Sequence, residues 1–285
     1  MKTEKTFILG LGASKSGTTW IQTYLHRSEG VDMGRLGEYQ IWDALHLPAN
    51  SRYRVARPGV WTRFEAALAA RLGLPIKSSA FRYDLQQNPE RYFDYFQQRL
   101  AQPGIHITGD ITPGYAGLPV AVLQDIDQTF AARGITVKPV FVMRDPIERA
   151  WSILKMRRRK GRVPGESSQQ QSFEDRFREA ISSGLGVTYE TSLRNIYAAF
   201  GTDRPYIGLF ETMFTAESVQ RLSDFAGVAS DPAASTQRVN DSGDRSGVNP
   251  DLAREVFPAF AADYAYCLTH FPQARAVWPH AHLAG

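Results

Sequence analysis

One lysine, two glycines and two threonines lie close together near the start of the chain. Gly12 and Gly17 are five residues apart, Lys15 lies between them, and Thr18 and Thr19 follow directly. Glycines let the backbone turn tightly and bring its N–H groups close to a ligand. A helix that follows such a turn directs its positive end toward the same point. We therefore predict a phosphate-binding loop.

The position of the lysine separates this loop from that of a nucleoside triphosphatase. An NTPase loop places lysine directly after the second glycine, followed by a Ser or Thr that binds Mg²⁺. Here Thr18 occupies that position, and Lys15 comes before Gly17. The metal-dependent arrangement of a kinase or NTPase is therefore not encoded, although that class stays open as an alternative. A glycine-rich turn that serves packing alone is the other alternative.

A second candidate anion site follows a later strand pattern. Arg144 ends the apolar run over residues 136–143, Pro146 begins a helix, and Ser152 lies about two turns into it. A guanidinium can hold a phosphate through two parallel hydrogen bonds. Together with the first loop, this pair indicates a ligand with two separated phosphates. The alternative for Arg144 is a structural ion pair.

Strand patterns alternate with helical patterns along the whole chain. Short apolar runs predict strands over residues 6–11, 105–109, 136–143 and 205–210. Helices are predicted over residues 17–27, 43–47, 62–72, 89–100, 119–133, 146–160, 173–182, 188–200, 216–226 and 252–270. Loops are predicted over residues 48–62, 77–88, 161–172 and 229–250. The alternation predicts an α/β fold with three layers, in which helices flank a central parallel sheet, and one domain over residues 1–285.

Composition limits the class of protein. The chain has 285 residues, of which 43% are hydrophobic and 22% charged, and this balance is typical of a soluble globular enzyme. The net charge of +4 permits anionic ligands without requiring nucleic acid. The lone Cys267 excludes an intrachain disulfide and is interpreted as a core residue. Because no leader-like or membrane-length apolar run is present, we expect a cytoplasmic protein without a transmembrane segment.

Three segments resemble motifs of one enzyme family. Residues 15–20, Lys-Ser-Gly-Thr-Thr-Trp, resemble the 5′-phosphosulfate loop of sulfotransferases that use 3′-phosphoadenosine 5′-phosphosulfate (PAPS). Residues 142–152 resemble the 3′-phosphate motif of that family. Residues 109–115 are similar to the Gly-acid-x-Ser/Thr-Pro segment of its bacterial and heparan-type branch. The resemblance covers about residues 6–230 and implies a P-loop-like fold.

The resemblance also implies a reaction and a set of ligand-binding residues. A sulfuryl group would pass from PAPS to a hydroxyl or amine of a glycan, lipid or small molecule, with no metal and with 3′-phosphoadenosine 5′-phosphate (PAP) as product. The implied donor-binding residues are Lys15, Ser16, Gly17, Thr18, Thr19, Trp20, Arg144, Ser152 and Arg245. Lys15 would also stabilise charge on the leaving oxygen. Trp20 either packs near the adenine or belongs to the core, and Arg245 lies in a late loop that resembles one closing on the nucleotide.

The general base is the least certain of the implied roles. Glu38 maps onto the base of the heparan-type branch. In that branch a lysine is common at the position where this chain has Gly37, and the nearby Arg35 is a possible substitute for it. Proximity to Lys15 would lower the pKa of Glu38, whereas burial would raise it. The rival base is His106, from a strand region, as in cytosolic-type members. A surface Glu at a helix start and a His on a strand surface are the alternatives without a catalytic role.

Two other charged features each allow two interpretations. Asp110 could position Lys15 or the acceptor, or it could cap a turn. The basic run over residues 157–160, with Lys155 and Arg162, is interpreted as a solvated helix end, with recruitment of an acidic acceptor as the alternative. The run is short and lacks an aromatic platform, so nucleic-acid binding is not expected. Loops over residues 48–62, 77–88 and 161–172 are predicted to line the acceptor pocket, and a non-catalytic nucleotide-binding protein stays an alternative.

Overall fold

A parallel sheet forms the centre of the protein. The computed structural model describes residues 4–61, 68, 76–161, 172–185, 189–236 and 247–285. Its strands are β1 Thr6–Gly12, β2 Val31–Asp32, β3 Ile107–Ile111, β4 Thr136–Met143 and β5 Tyr206–Leu209. Within these ranges the strands lie in the order β2-β3-β1-β4-β5, and every neighbouring pair is parallel. The predicted parallel sheet is confirmed.

Helices connect the strands and follow the predicted pattern closely. The described α-helices are α1 Thr18–Arg27, α2 Trp42–His46, α3 Ser78–Gln87, α4 Glu90–Leu100, α5 Val120–Ala132, α6 Pro146–Arg159, α7 Phe173–Ser182, α8 Tyr189–Phe200, α9 Ala216–Ala226, α10 Pro250–Val256, α11 Ala261–His270 and α12 Ala274–Val277. Short 3-10 helices span Pro48–Tyr53, Pro113–Gly117, Pro232–Thr236, Phe257–Phe260 and Ala281–Ala284. The helix predicted over residues 62–72 falls outside the described residues, apart from residue 68. No helix in the described ranges has the length and apolar character to cross a bilayer.

The central strand β1 explains the layered architecture. Phe7 and Leu9 pack with α4, α5 and α8 on one face of the sheet, and Ile8 packs with α1 and α9 on the other. All three side chains are completely buried. A strand that is apolar on both faces is typical of a parallel sheet covered by helices on both sides. The three-layer α/β fold predicted from the sequence is therefore confirmed.

The strand order creates a crevice beside β1 and β4. The connection that leaves β1 leads to β2 on one side of the sheet, whereas the connection that leaves β4 leads to β5 on the other side. Ligands of open parallel sheets bind at such a reversal, beyond the carboxyl ends of the strands. The β1–α1 loop and the residues after β4 lie at this reversal.

Three local predictions differ from the structure. The helix predicted over residues 252–270 is divided into α10, a 3-10 turn at Phe257–Phe260 and α11, because Pro258 has no N–H to continue the helical ladder. The segment over residues 77–88, predicted as a loop, contains helix α3. Its buried side chains Ala80, Phe81 and Leu85 form a narrow apolar stripe among polar neighbours. Strand β2 is only two residues long and was not predicted.

Candidate functional site

The β1–α1 loop has a backbone that only glycine permits at its end. Gly17 precedes α1 with φ +83°, in the left-handed region. A Cβ at this position would also collide with the side chain of Met213. Helix α1 has neither a side-chain cap nor an acidic residue in its first turn. The positive end of α1 is therefore left for an anion.

Lys15 lies within a concentration of positive charge. Burial lowers the pKa of Lys15 below its ordinary value, and the charges of Arg159, Arg144, Lys160 and Lys155 lower it further. Such charges act strongly only over short distances, so these cations converge on the loop. An anionic ligand would relieve this repulsion. Arg158, Arg159 and Lys160 of the basic run are exposed, as expected for a solvated helix end, and the charges of Arg159 and Lys160 also act on Lys15.

Arg144 is held directly beside the loop. Its Nη1 donates to the carbonyl oxygen of Lys15 at 3.4 Å, and its guanidinium lies over the ring of Phe210, 4.7 Å from the centroid. The backbone of Arg144 is fixed by Tyr189, whose hydroxyl accepts from the Arg144 N–H at 3.0 Å and donates to the Arg144 carbonyl at 2.9 Å. The two residues predicted to bind separate phosphates are thus brought together at one crevice.

Glu148, which the sequence analysis did not identify, connects Arg144 to the carboxyl-terminal part of the chain. Its carboxylate lies 3.7 Å from Arg144 Nη2, accepts from the Val248 N–H at 2.9 Å and lies 3.3 Å from His280 Nε2. Burial alone would raise the pKa of Glu148, but the bonds from His280 and Val248 and the Arg144 charge outweigh it and lower the pKa. Glu148 therefore stays ionised and anchors residue 248, which follows the predicted late loop.

Ser152 extends the same face of α6. It lies four residues after Glu148, and Lys155 and Arg159 follow at three and seven residues beyond it, which places all four on one side of the helix. Glu148 contacts Arg144, while Lys155 and Arg159 act on Lys15. The half-buried Ser152 is therefore on the face that looks toward the loop.

Glu38 lies at the edge of the same site. Its side chain keeps contact with solvent, and Gln40 Nε2 donates to its Oε2 at 3.1 Å. Burial raises the pKa of Glu38, and this effect outweighs the lowering by the Gln40 bond and by the charges of Lys160 and Arg82. The direction is the one that the sequence analysis attributed to burial, although Glu38 is an exposed residue. The charge of Lys160 acts on both Glu38 and Lys15.

Arg35, the suggested substitute for the lysine of the family, is directed away from Glu38. Its guanidinium donates to the carbonyl of Ile76 and lies over the Phe81 ring, 4.8 Å from the centroid. Arg82 of α3 instead contacts this segment, and its Nη2 donates to the Glu38 carbonyl at 2.8 Å. The sequence analysis placed Arg82 in a loop that lines the acceptor pocket, whereas the structure places it on helix α3 and bonded to the Glu38 backbone.

Asp110 is a completely buried acceptor of hydrogen bonds. Its carboxylate accepts from the hydroxyls of Tyr115 at 2.7 Å, Tyr92 at 2.9 Å and Thr112 at 2.6 Å. Burial raises the pKa of Asp110 to about 6 despite these bonds. With no exposed surface, Asp110 cannot touch an acceptor molecule, so its role is to fix the three hydroxyls around it.

His106 lies at the other end of the sheet. Its carbonyl accepts from Thr6 at the start of β1, and its N–H donates to Gly30. Lys15 follows the carboxyl end of β1, and a strand of seven residues spans about 20 Å. The structure therefore does not bring His106 together with the β1–α1 loop.

The remaining predicted residues divide into buried, exposed and undescribed. Ser16 and Thr18 are buried, whereas Thr19 is exposed. Trp20 is buried and stacks on Tyr24, with 5.2 Å between the ring centroids. Together with Thr23, Arg27 and Asp231 it lines a cavity of about 130 Å³. Arg245 lies outside the described residues. Across the part of the chain that is described, no group of three His, Cys, Asp or Glu side chains is arranged to hold a metal ion.

Comparison with known proteins gives similarity in structure only. No family model and no curated protein matches the chain. A sulfotransferase from Alicyclobacillus acidocaldarius is similar over 93% of this chain and 95% of that chain, with a TM-score of 0.59 and 19% identity. Sulfotransferase STF9 from Mycobacterium avium is similar over 93% of this chain and 77% of that chain, with a TM-score of 0.47 and 15% identity. Retinol dehydratase in complex with androsterone and inactive cofactor PAP is similar over 93% of this chain and 68% of that chain, with a TM-score of 0.34 and 17% identity. The first of these similarities shows a shared P-loop-like α/β fold.

Proposed function

We propose that the chain is a sulfotransferase that moves a sulfuryl group from PAPS to a hydroxyl or amine of an acceptor. The observation that carries this proposal is the contact of Arg144 with the Lys15 carbonyl at 3.4 Å. One cation belongs to the loop after β1 and the other follows β4, so the crevice offers two anion-binding positions for a single ligand. A nucleoside triphosphate with Mg²⁺ does not need the second position.

The residues of the crevice fit a nucleotide with phosphate groups at both its 5′ and 3′ positions. The uncapped end of α1 favours the 5′-phosphosulfate. Arg144 and Ser152 would hold the 3′-phosphate. Trp20 would contact the adenine at the cavity that it lines. We also propose that Arg245 closes on the nucleotide.

The chain's own groups supply the chemistry of the transfer step. PAPS supplies the sulfuryl group on a phosphate leaving group. Lys15 would neutralise the bridging oxygen that gains electrons when the S–O bond breaks. Glu38 would accept the proton that the acceptor hydroxyl loses. The raised pKa of Glu38 makes its carboxylate a stronger base than an ordinary glutamate.

The acceptor that we propose is a hydroxyl or amine of a glycan, lipid or small molecule, bound beside Glu38. Val60 and Trp61 are 78% and 80% exposed, and Arg52 and Tyr53 precede them in the same segment. These side chains would offer apolar, aromatic and cationic surface to an acceptor that enters past this segment.

A calorimetric titration with PAP and with ATP, each in the presence and absence of Mg²⁺, tests the proposal. We expect PAP to bind without Mg²⁺ and ATP to bind more weakly under both conditions. Tighter binding of ATP with Mg²⁺ would instead favour the kinase or NTPase alternative. Binding of PAP without any transfer from PAPS would favour the non-catalytic alternative.

A further inference from the structure

The backbone of residues 38–41, which carries Glu38, is bonded to side chains on both of its sides. On one side, the Tyr39 N–H donates to Thr112 Oγ1 at 2.9 Å and the Ile41 N–H donates to the Tyr115 hydroxyl at 3.3 Å. Both of these hydroxyls also donate to the buried Asp110 carboxylate. The N–H groups of the segment are thus fixed to the rigid end of β3.

The carbonyl groups of the same segment are bonded to helix α3. Arg82 donates through Nη2 to the Glu38 carbonyl and through Nε to the Tyr39 carbonyl, both at 2.8 Å. Gln86 Nε2 donates to the Gln40 carbonyl, also at 2.8 Å. Gln40 has φ +56°, a conformation that non-glycine residues keep only where their surroundings impose it. The bonds on the two sides supply that constraint.

Gln86 also bonds to a second segment of the chain. Its Nε2 donates to the Tyr53 carbonyl at 3.0 Å, and its Oε1 accepts from the Val55 N–H at 2.9 Å. The side chain is 5% exposed, so water competes little for these bonds. One buried amide therefore connects residues 53–55, which lie on the proposed acceptor side, with the Gln40 backbone. The Gln40 side chain in turn bonds to the Glu38 carboxylate.

We propose that Gln86 is a positioning residue that couples the acceptor-side residues 53–55 to the Glu38 carboxylate through Gln40. This inference rests on the proposed function, in which Glu38 is the base. A displacement of Tyr53 or Val55 by an entering acceptor moves the Gln86 amide, and the Gln40 backbone moves with it. Acceptor binding thereby adjusts the group that removes the acceptor's proton, while the nucleotide crevice stays unchanged.

Nuclear magnetic resonance titration of the intact protein without ligand tests this coupling. The Val55 amide resonance is expected to shift as the Glu38 carboxyl titrates, and this shift should be lost in Glu38→Gln, which also assigns it. In Gln86→Met, which keeps the size of the side chain but removes its bonds, we expect the Val55 shift to disappear. Gln87→Met, at the exposed neighbouring position, is the matched control and should keep it.

Two other carboxyls, those of Asp43 and Asp110, also titrate, and their effect must be separated from that of Glu38. Burial raises the pKa of Asp43 and of Asp110, each to about 6. The charges of Lys160 and Arg82 also act on Glu38. Only the part of the Val55 shift that Glu38→Gln removes counts as coupling.

A second variant breaks the connection at its other end. Gln40→Gly suits the positive φ and removes the bond to Glu38, so we expect it to fold and to lose the Val55 shift as Gln86→Met does. A Val55 shift that survives in either variant, or that is absent from the wild-type protein, would overturn the coupling. PAP binding should be unchanged in both variants. In that case a failure of the coupling is distinguishable from a failure of the sulfotransferase proposal.

Discussion

The proposed site has a nucleotide side, around Lys15 and Arg144, and a base side, around Glu38. The two sides are built in different ways. Lys15 and Arg144 lie on short connections that leave the two central strands β1 and β4. Glu38 lies in an irregular segment between β2 and α2, and its neighbours are bonded to Thr112 and Gln86, which are distant in sequence. The nucleotide side is therefore fixed by the sheet, whereas the base side depends on individual side chains.

This difference predicts two classes of variant. Substitutions on the nucleotide side should change nucleotide affinity together with rate. Substitutions on the base side should change rate while nucleotide affinity stays constant, because the base segment shares no described hydrogen bond with the β1–α1 loop.

Lys15→Ala tests the nucleotide side most severely. We expect transfer from PAPS to fall about 100- to 1,000-fold, because the charge on the leaving oxygen loses its cation. PAP affinity should fall as well, by about 10-fold, which calorimetry measures. Lys5→Ala, just before the amino end of β1, is the control and should behave as wild type. Wild-type transfer in Lys15→Ala would remove the lysine from the proposed chemistry.

Glu38→Gln tests the base side. We expect transfer to fall about 100-fold or more, because an amide cannot accept the acceptor's proton. The affinity for PAP should be unchanged, as measured in the same calorimetric cell. Glu29→Gln, at an exposed position, is the matched control. Full activity of Glu38→Gln would place the base elsewhere, and a loss of PAP affinity would contradict the separation of the two sides.

Gly17→Ala tests how rigidly the loop is fixed. The left-handed backbone and the collision with Met213 should destabilise the fold by about 1–3 kcal/mol, measured by urea denaturation. Gly37→Ala, next to Glu38, is the control, since a Cβ there would meet nothing within 4 Å. We expect the control to change stability by less than about 0.5 kcal/mol. Equal effects at the two glycines would argue against the contrast between the two sides.

The effect of Glu211→Gln on stability depends on pH. Burial raises the pKa of Glu211 to about 7, above its value in the unfolded chain, although its Oε1 accepts from the Asp145 N–H at 2.9 Å. The folded state therefore holds a proton that the unfolded state releases, and the free energy of unfolding decreases as pH rises from about 4.5 to 7. The variant lacks this decrease. The free energy of unfolding of Glu211→Gln, relative to that of wild type, should therefore be greater at pH 8 than at pH 5. The same difference in unfolding free energy at both pH values would contradict the raised pKa.

The strands and connections that carry Lys15 and Arg144 were predictable from sequence because their signals are local. The apolar runs of β1 and β4, the glycine spacing and the residues Lys15, Arg144 and Ser152 lie within short segments. The resemblance to sulfotransferase motifs depends on the same segments. Helix breaking at Pro258 was equally local and was missed, although a proline inside a helical pattern indicates a break.

The base side was less predictable because its bonds connect distant parts of the chain. Helix α3 has few apolar residues, so its pattern resembled a loop, and the partners of Arg82 and Gln86 depend on tertiary packing. Glu148 looked like an ordinary residue of the helix start. Its contacts with Val248 and His280 arise only when the carboxyl-terminal region folds over α6.

We propose that one crevice binds two phosphates, through the β1–α1 loop and through Arg144. Calorimetry can measure the affinities of PAP and of adenosine 5′-monophosphate for the wild-type protein and for Arg144→Ala. We predict that wild type binds PAP about 10- to 100-fold more tightly than the monophosphate, and that Arg144→Ala abolishes this difference. Equal affinities of the two nucleotides for the wild-type protein would contradict the claim.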